Sequence, residues 1–182
     1  MGHNSLSANT TGAENTAIGQ NALLTNTTGA SNTALGKSSL ASNTTADNNT
    51  AVGHSALGAC TTGTQNTAVG KDAGVSLTTA TYSTFIGTFA GDATTTGTFN
   101  TAVGGAALTD NTTGAQNVAV GTSALADNTT ANNNTAIGFE SMRLNTTGAD
   151  NTACGYAALD ANTTGVDIVA VGSEALTSNT TA

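Results

Sequence analysis

The sequence predicts an all-β protein, a parallel β-solenoid of about ten and a half coils with 17 residues in each coil. Three observations predict it. A single unit of 17 residues returns without insertion or deletion, at starts Asn15, Asn32, Asn49, Asn66, Ser83, Asn100, Asn117, Asn134, Asn151 and Ile168. When each start is counted as position 1, position 5 is Gly and positions 13 and 14 are Thr in every repeat. Position 4 is apolar in every repeat, as expected of a short strand.

The repeats, numbered 1 to 10, belong to one solenoid domain over 1–182, with a partial first coil over 1–14. The chain starts at position 4 and stops at position 15 of a repeat, so both ends are expected to be uncapped. An uncapped coil presents unpaired backbone groups. We therefore expect head-to-tail filaments in which each subunit contributes about 50 Å.

Each repeat is expected to contain two or three short strands. Positions 1 to 5 are rich in Thr and β-branched residues and end at the fixed Gly, which predicts a strand followed by a turn. The Asn-Thr-Thr segment at positions 12 to 14 predicts a second strand. Frequent Gly leaves no window long enough for a stable helix. The Asn residues at positions 1 and 12 predict side-chain amide ladders between coils.

Position 4 is interpreted as the core of the solenoid because it is always apolar. This core ladder consists of Ile18, Leu35, Val52, Val69, Ile86, Val103, Val120, Ile137, Cys154 and Val171. Since side chains alternate along a strand, position 2 shares the inward face and position 3 points outward. Position 3 is nevertheless Ala in all repeats but one, which suggests that another copy packs there as a lateral homo-oligomer. Val103→Asp is expected to unfold the neighbouring coils.

Repeats 4 and 5 depart most from the pattern. Gly replaces Leu at position 9, and four aromatic residues lie nearby: Tyr82, Phe85, Phe89 and Phe99. In one interpretation a ring fills the volume that the missing leucines leave. In the other interpretation the four residues form an exposed patch that contacts a surface glycan or a protein partner.

The composition excludes several classes of function. A net charge of -8 with only three basic residues argues against nucleic-acid binding. No apolar run has the length of a membrane span, so membrane insertion is not expected. The first residues lack the basic and apolar regions of a secretory signal peptide, which leaves the export route open.

The residues that usually carry chemistry are few and scattered. His3 and His54 share position 6 but lie three periods apart, about 14 Å in a stack of coils, so they cannot share a metal ion. Cys60 and Cys154 are too far apart for a disulfide. We therefore expect no enzyme activity, no catalytic residues, no metal site and no cofactor.

The motifs NTAIG, NTAVG, NVAVG (117–121) and IVAVG (168–172) resemble the head repeats of trimeric autotransporter adhesins. With the NTTG segment, the unit is more similar still to repeats of bacteriophage tail-fibre-like proteins. The resemblance covers the chain from Leu6 onward. It implies a left-handed parallel β-roll, often trimeric, that serves as an attachment fibre, with no catalytic residues to carry over.

Three functions are compatible with the sequence. The first is a non-enzymatic structural protein, a self-assembling building block or shaft of an extracellular or virion fibre, whose partner is itself. The second is an adhesin or phage receptor-binding module that uses the aromatic region 82–99. The third is an ice-binding protein with a Thr ladder, which is weakened because adjacent Thr side chains at positions 13 and 14 point to opposite faces.

Overall fold

The computed structural model describes residues 2–181, and each of the ten repeats contributes one strand of three residues. The strands are β1 (Thr16–Ile18), β2 (Thr33–Leu35), β3 (Thr50–Val52), β4 (Thr67–Val69), β5 (Thr84–Ile86), β6 (Thr101–Val103), β7 (Val118–Val120), β8 (Thr135–Ile137), β9 (Thr152–Cys154) and β10 (Val169–Val171). They form one parallel sheet in chain order, and each strand residue pairs with the same position of the next repeat. The all-β solenoid is thus confirmed. Across 2–181 no helix is long and apolar enough to cross a membrane.

Backbone hydrogen bonds join each coil to the next around most of its contour. At the start of the strand, Thr16 N donates to Asn32 O at 2.8 Å, and at its end Gly36 N donates to Ile18 O at 2.8 Å. Away from the sheet, Thr27 N donates to Thr44 O at 2.9 Å. This last contact lies in the segment expected to be a second strand, which instead forms bends, so that prediction was wrong. The repeats still stack there through position 13.

The fixed Gly at position 5 is required by both its conformation and its neighbour. Gly87 has φ +138°, and a Cβ added to it would lie 2.6 Å from the carbonyl carbon of Gly104 in the next coil. Any side chain at this position would therefore force the coils apart, because real Cβ atoms do not approach a backbone carbon so closely.

The interior of the solenoid is lined by positions 1, 3, 8, 9, 12 and 15, so the inward assignment of position 4 was wrong. Ala34 and Ala102, at position 3, are fully buried. The expected core ladder instead lies on the outer face of the sheet: Ile18, Leu35, Val69, Ile86, Ile137 and Val171 are exposed, and Val52, Val103, Val120 and Cys154 are half-buried. Positions 2 and 4 do share a face, as predicted, but it is the outer one.

The physical reason is the limited space between the strand and the opposite wall of the coil. Leucine at position 9, such as Leu40 and Leu108, is fully buried and fills most of that space. Only a methyl group remains to be accommodated at position 3, so alanine is kept there by internal packing. A β-branched residue in its place would overpack the coil.

The two amide ladders predicted at positions 1 and 12 are confirmed. Asn32 Oδ1 accepts a hydrogen bond from Asn49 N at 2.9 Å, and Asn43 Nδ2 donates to Asn26 Oδ1 at 2.7 Å. Asn32 and Asn43 also both donate to the carbonyl oxygen of Ala46 at position 15. These bonds satisfy polar groups inside a core that has room for few apolar side chains.

Candidate interaction surfaces

The outer face of the β-sheet is an uncharged surface of the solenoid, and it consists of positions 2 and 4. Ile18 is 50% exposed and Leu35 44% exposed. Threonine holds position 2 in eight of the ten repeats, at half-buried or exposed sites. Every charged residue of the chain falls outside positions 1 to 5. A chain with net charge -8 thus keeps one flat, β-branched face free of charge.

One margin of this face, at position 17, carries a pair of stacked aromatic rings. Tyr82 and Phe99 belong to successive repeats, their ring centroids lie 5.2 Å apart, and the interplanar angle is 3°. The two residues are 52% and 54% exposed. Both residues have φ near +60°, which turns the chain toward the next strand.

The other margin, at positions 6 and 7, carries Phe89 and a charged cluster. Lys71 Nζ lies 4.4 Å above the centroid of the exposed Phe89 ring. Lys71 also pairs with Asp72, whose second oxygen lies 3.5 Å from His54 Nδ1. The hydrogen bond from Lys71 lowers the pKa of Asp72, and His54 lowers it further.

The aromatic patch predicted from the sequence is therefore divided by the fold. Phe85, in β5 at position 3 of repeat 5, is fully buried and lies between the two glycines of position 9. A Cβ on Gly74 would lie 2.7 Å from Phe85 Cδ2, and a Cβ on Gly91 would lie 2.5 Å from Phe85 Cδ1. The volume-compensation interpretation is confirmed for Phe85, whereas Tyr82, Phe89 and Phe99 remain at the surface.

A second stacked pair was missed by sequence reasoning. Phe139 and Tyr156 both hold position 6, in repeats 8 and 9, with ring centroids 5.7 Å apart and exposures of 46% and 52%. Their common position in successive repeats was the available signal, because equal positions stack along a solenoid.

The Thr ranks at positions 13 and 14 differ in their hydrogen bonding. Hydroxyl groups at position 13 donate to the carbonyl of the next coil, as Thr27 Oγ1 does to Thr44 O at 3.0 Å. Side chains at position 14, such as Thr28 and Thr45, are exposed. Of these two ranks, only position 14 therefore presents free hydroxyls to solvent.

The remaining polar groups form no reactive cluster in the part of the chain that the structure describes. Within 2–181 no group of three or more His, Cys, Asp or Glu residues is close enough to hold a metal ion. Burial raises the pKa of Asp92 and of Asp127, and neighbouring carboxylates raise it further. Arg143 pairs with Asp160 at 3.2 Å. These charges lie at positions 10 and 11, away from the sheet.

The two cysteines are separate, free thiols in different environments. Cys60 replaces Asn at position 12, is fully buried, and donates to Gly63 O at 3.3 Å. Burial raises its pKa to about 11. Cys154 lies half-buried on the outer sheet face.

A cavity of about 360 Å³ lies beside β1 and is lined by Ser5, Leu6 and the segment 15–18. Its lining contains apolar side chains, hydroxyls and one amide, and no titratable group.

Comparison of the chain with models of known families, with curated proteins and with solved structures finds no match. The resemblance to adhesin and tail-fibre repeats thus has no independent support, and the repeat solenoid itself is what the structure shows.

Proposed function

We propose that the protein is a non-enzymatic structural protein, a building block or shaft of an extracellular or virion fibre, and that copies associate laterally. The observation that carries the proposal is the uncharged outer face of the sheet. Its ten strands, at about 4.8 Å each, give an uncharged strip about 45 Å long, in which the apolar file at position 4 runs beside a file of mostly Thr at position 2. Exposed apolar strips of this kind mark interaction sites.

A second copy of the chain is the occupant that the charges favour. Two molecules with a net charge of -8 repel each other wherever their charged positions meet. The strip at positions 2 and 4 avoids this repulsion, and its β-branched side chains lose little conformational entropy when another sheet covers them. A homotrimer is one such arrangement.

The proposal is tested with substitutions in repeat 6 that place the same charge at three sites, two on the surface and one in the interior. Val103→Asp on the outer face is expected to leave the melting temperature nearly unchanged and to dissociate the oligomer in sedimentation experiments. Ala102→Asp is expected to unfold the coils, because it buries an unpaired carboxylate at a cost of several kcal/mol.

Thr113→Asp, at exposed position 14, is the matched control and is expected to change neither property. A wild-type chain that stays monomeric at high concentration would contradict lateral association. A Val103→Asp variant that assembles as the wild type does would exclude this face.

An adhesin or receptor-binding module is the second candidate, supported by the exposure of Tyr82, Phe89 and Phe99. Exposed aromatic faces suit the apolar faces of sugars. A glycan array in which the wild type binds and Tyr82→Gln/Phe99→Gln does not would favour this function. Gln holds position 17 in repeats 3 and 6, so the substitution fits the fold.

Ice binding is the third candidate, and the structure offers it a Thr rank at position 14 and another at position 2 on the outer sheet face. The hydroxyls of position 13 are occupied by bonds such as Thr44 Oγ1 to Thr61 O at 3.2 Å. Positions 2 and 14 lie on separate segments of the coil, so each is a single file of hydroxyls, which matches an ice lattice along one direction only. Clear thermal hysteresis would nevertheless place this function first.

A further inference from the structure

The outer face of the sheet repeats itself along the solenoid, which creates a problem of axial register. Positions 2 and 4 hold similar residues in every repeat, about 4.8 Å apart. Two copies displaced by one repeat would lose only about one tenth of their contact, since the remaining strands still meet equivalent strands. The face alone therefore does not select one stagger between copies.

The aromatic residues on the two margins are the features that break this repetition. Tyr82 and Phe99 lie on the margin at position 17, whereas Phe89 lies at position 7 on the other margin. The strand β5 separates the two margins. Because Phe89 lies between Tyr82 and Phe99 in the chain, its height along a continuous solenoid lies between theirs.

We propose that the Tyr82–Phe99 pair of one copy packs against Phe89 of its neighbour and thereby fixes an in-register, parallel assembly. The inference rests on the proposed lateral association. When parallel copies meet without a stagger, the position-17 margin of one copy lies beside the position-7 margin of the next at equal height. In this arrangement the three rings, which are 40–54% exposed in a single copy, contact each other between copies.

The area of the sheet supports a contribution from the margins. Ten strands of three residues cover about 45 Å by about 10 Å, or about 450 Å² per copy. A stable interface buries about 800 Å² per partner. The margins must supply the difference, and aromatic residues are the side chains most enriched in such contacts.

An antiparallel pair would not bring these aromatic residues together. It would place repeats 4 and 5 opposite repeats 7 and 6, where position 7 holds Ala106 and Ser123 and position 17 holds Gln116 and Asn133. The matching heights of the rings therefore favour parallel copies.

Cysteine cross-linking measures the register directly in a Cys154→Ser background, where the remaining Cys60 is buried. Chains with Gln116→Cys are refolded with chains carrying either Ala106→Cys, in the same repeat, or Glu140→Cys, which lies two repeats and about 10 Å beyond Ala106 along the solenoid. Heterodimers on non-reducing gels report each pairing. We expect the equal-height pairing to dominate in chains that retain all three aromatic residues.

The triple substitution Tyr82→Gln/Phe89→Ser/Phe99→Gln uses residues found at these positions in other repeats. It is expected to lower the preference for equal height about two- to tenfold, the value of one aromatic contact. Phe139→Thr/Tyr156→Thr is the matched control. It removes two rings of similar exposure, whose heights match Asn133, Asp150 and Asp167 on the margin of the next copy, and it is expected to leave the preference unchanged.

Sedimentation of the same samples separates the two proposals. A monomer at every concentration would overturn lateral association and register together. An oligomer whose cross-links ignore height, or whose equal-height preference survives the triple substitution, would overturn the register proposal alone.

Discussion

Repeats 3 to 5 follow the same backbone path as the repeats on either side of them but bury different side chains. In the flanking repeats, Leu at position 9, or Met142 in repeat 8, packs beneath Ala, and Asn side chains continue the ladder at position 12. In the centre, position 12 holds Cys60, Leu77 and Thr94 instead. Phe85 there occupies the volume of position 9 in two coils.

The comparison teaches that the solenoid conserves its interior volume and its hydrogen bonds to the next backbone rather than particular side chains. Backbone pairing in β5 follows the same register as in every other strand. The amide ladder at position 12, in contrast, ends where it meets the central repeats. Asn43 Oδ1 has no hydrogen-bond partner because Cys60, in the next coil, offers it no donor.

The largest effect is expected from forcing a flanking-type residue into the centre. Gly91→Leu places a side chain on a Cβ only 2.5 Å from Phe85 Cδ1, and the Phe85 ring is fully buried. We expect a loss of about 3 kcal/mol or more in the free energy of unfolding. Chemical denaturation measures it.

The control is a variant that gives the central repeats the same interior side chains as the flanking repeats. Phe85→Ala/Gly74→Leu/Gly91→Leu restores the Ala and Leu combination of the other repeats, and Leu at position 9 already tolerates φ near +50° elsewhere. The triple variant is expected to be nearly as stable as the wild type. If it is as unstable as Gly91→Leu alone, conserved volume is not what relates the two interiors.

The sequence predicted the coil, its period and the amide ladders because these follow from repetition alone. Its prediction of which face of the strand is buried was wrong. Alternation fixes only that positions 2 and 4 share a face, and the choice between faces depends on how much space Leu40 or Phe85 leaves inside. The left-handed φ of Leu at position 9 carried no signal either, because leucine seldom adopts it.

The candidate surfaces were predicted in part for the same reason. Tyr82 and Phe99 were identified as unusual residues, and the structure exposes them. Phe85 was grouped with them because nearness in sequence does not tell the inward position 3 from a corner. Once the inward positions are known, the uncharged outer strip at positions 2 and 4 follows directly.

The buried thiol in the centre is expected to make stability depend on alkaline pH. Burial raises the pKa of Cys60 from 9.0 to about 11, so the folded chain keeps the proton over a range in which the unfolded chain loses it. The stabilisation is complete below pH 9 and falls by about 2 to 3 kcal/mol as pH rises to 11. Urea denaturation at pH 8 and pH 11 measures this loss, which Cys60→Ser should reduce. An equal loss in both variants would assign it to other groups.

A break in the flanking ladder is expected to cost somewhat less. Asn128→Leu removes the donor to Asn111 Oδ1 at 2.9 Å, while Leu fits this position as Leu77 does in the centre. A buried oxygen without a donor costs about 1 to 3 kcal/mol. Asp110→Ala, at an exposed site in the same region, is the control and should be nearly neutral. Equal melting temperatures for the two variants would show that the ladder contributes nothing to stability.

The smallest effect is expected at the corners of the coil, where the central and the flanking repeats no longer differ. Gln65 in repeat 3 and Gln116 in repeat 6 both hold position 17, with φ of +61° and +59°. A residue with a side chain pays about 1 to 2 kcal/mol to adopt this left-handed backbone conformation, and Gly avoids that cost. Part of this gain is lost because Gly also gives the unfolded chain more conformational entropy. Gln65→Gly and Gln116→Gly are therefore each expected to raise the free energy of unfolding by about 0.5 to 1 kcal/mol, as measured in urea. Because the corner lies outside both interiors, the two gains should be equal. Unequal gains would mean that the packing inside a coil also changes its turns.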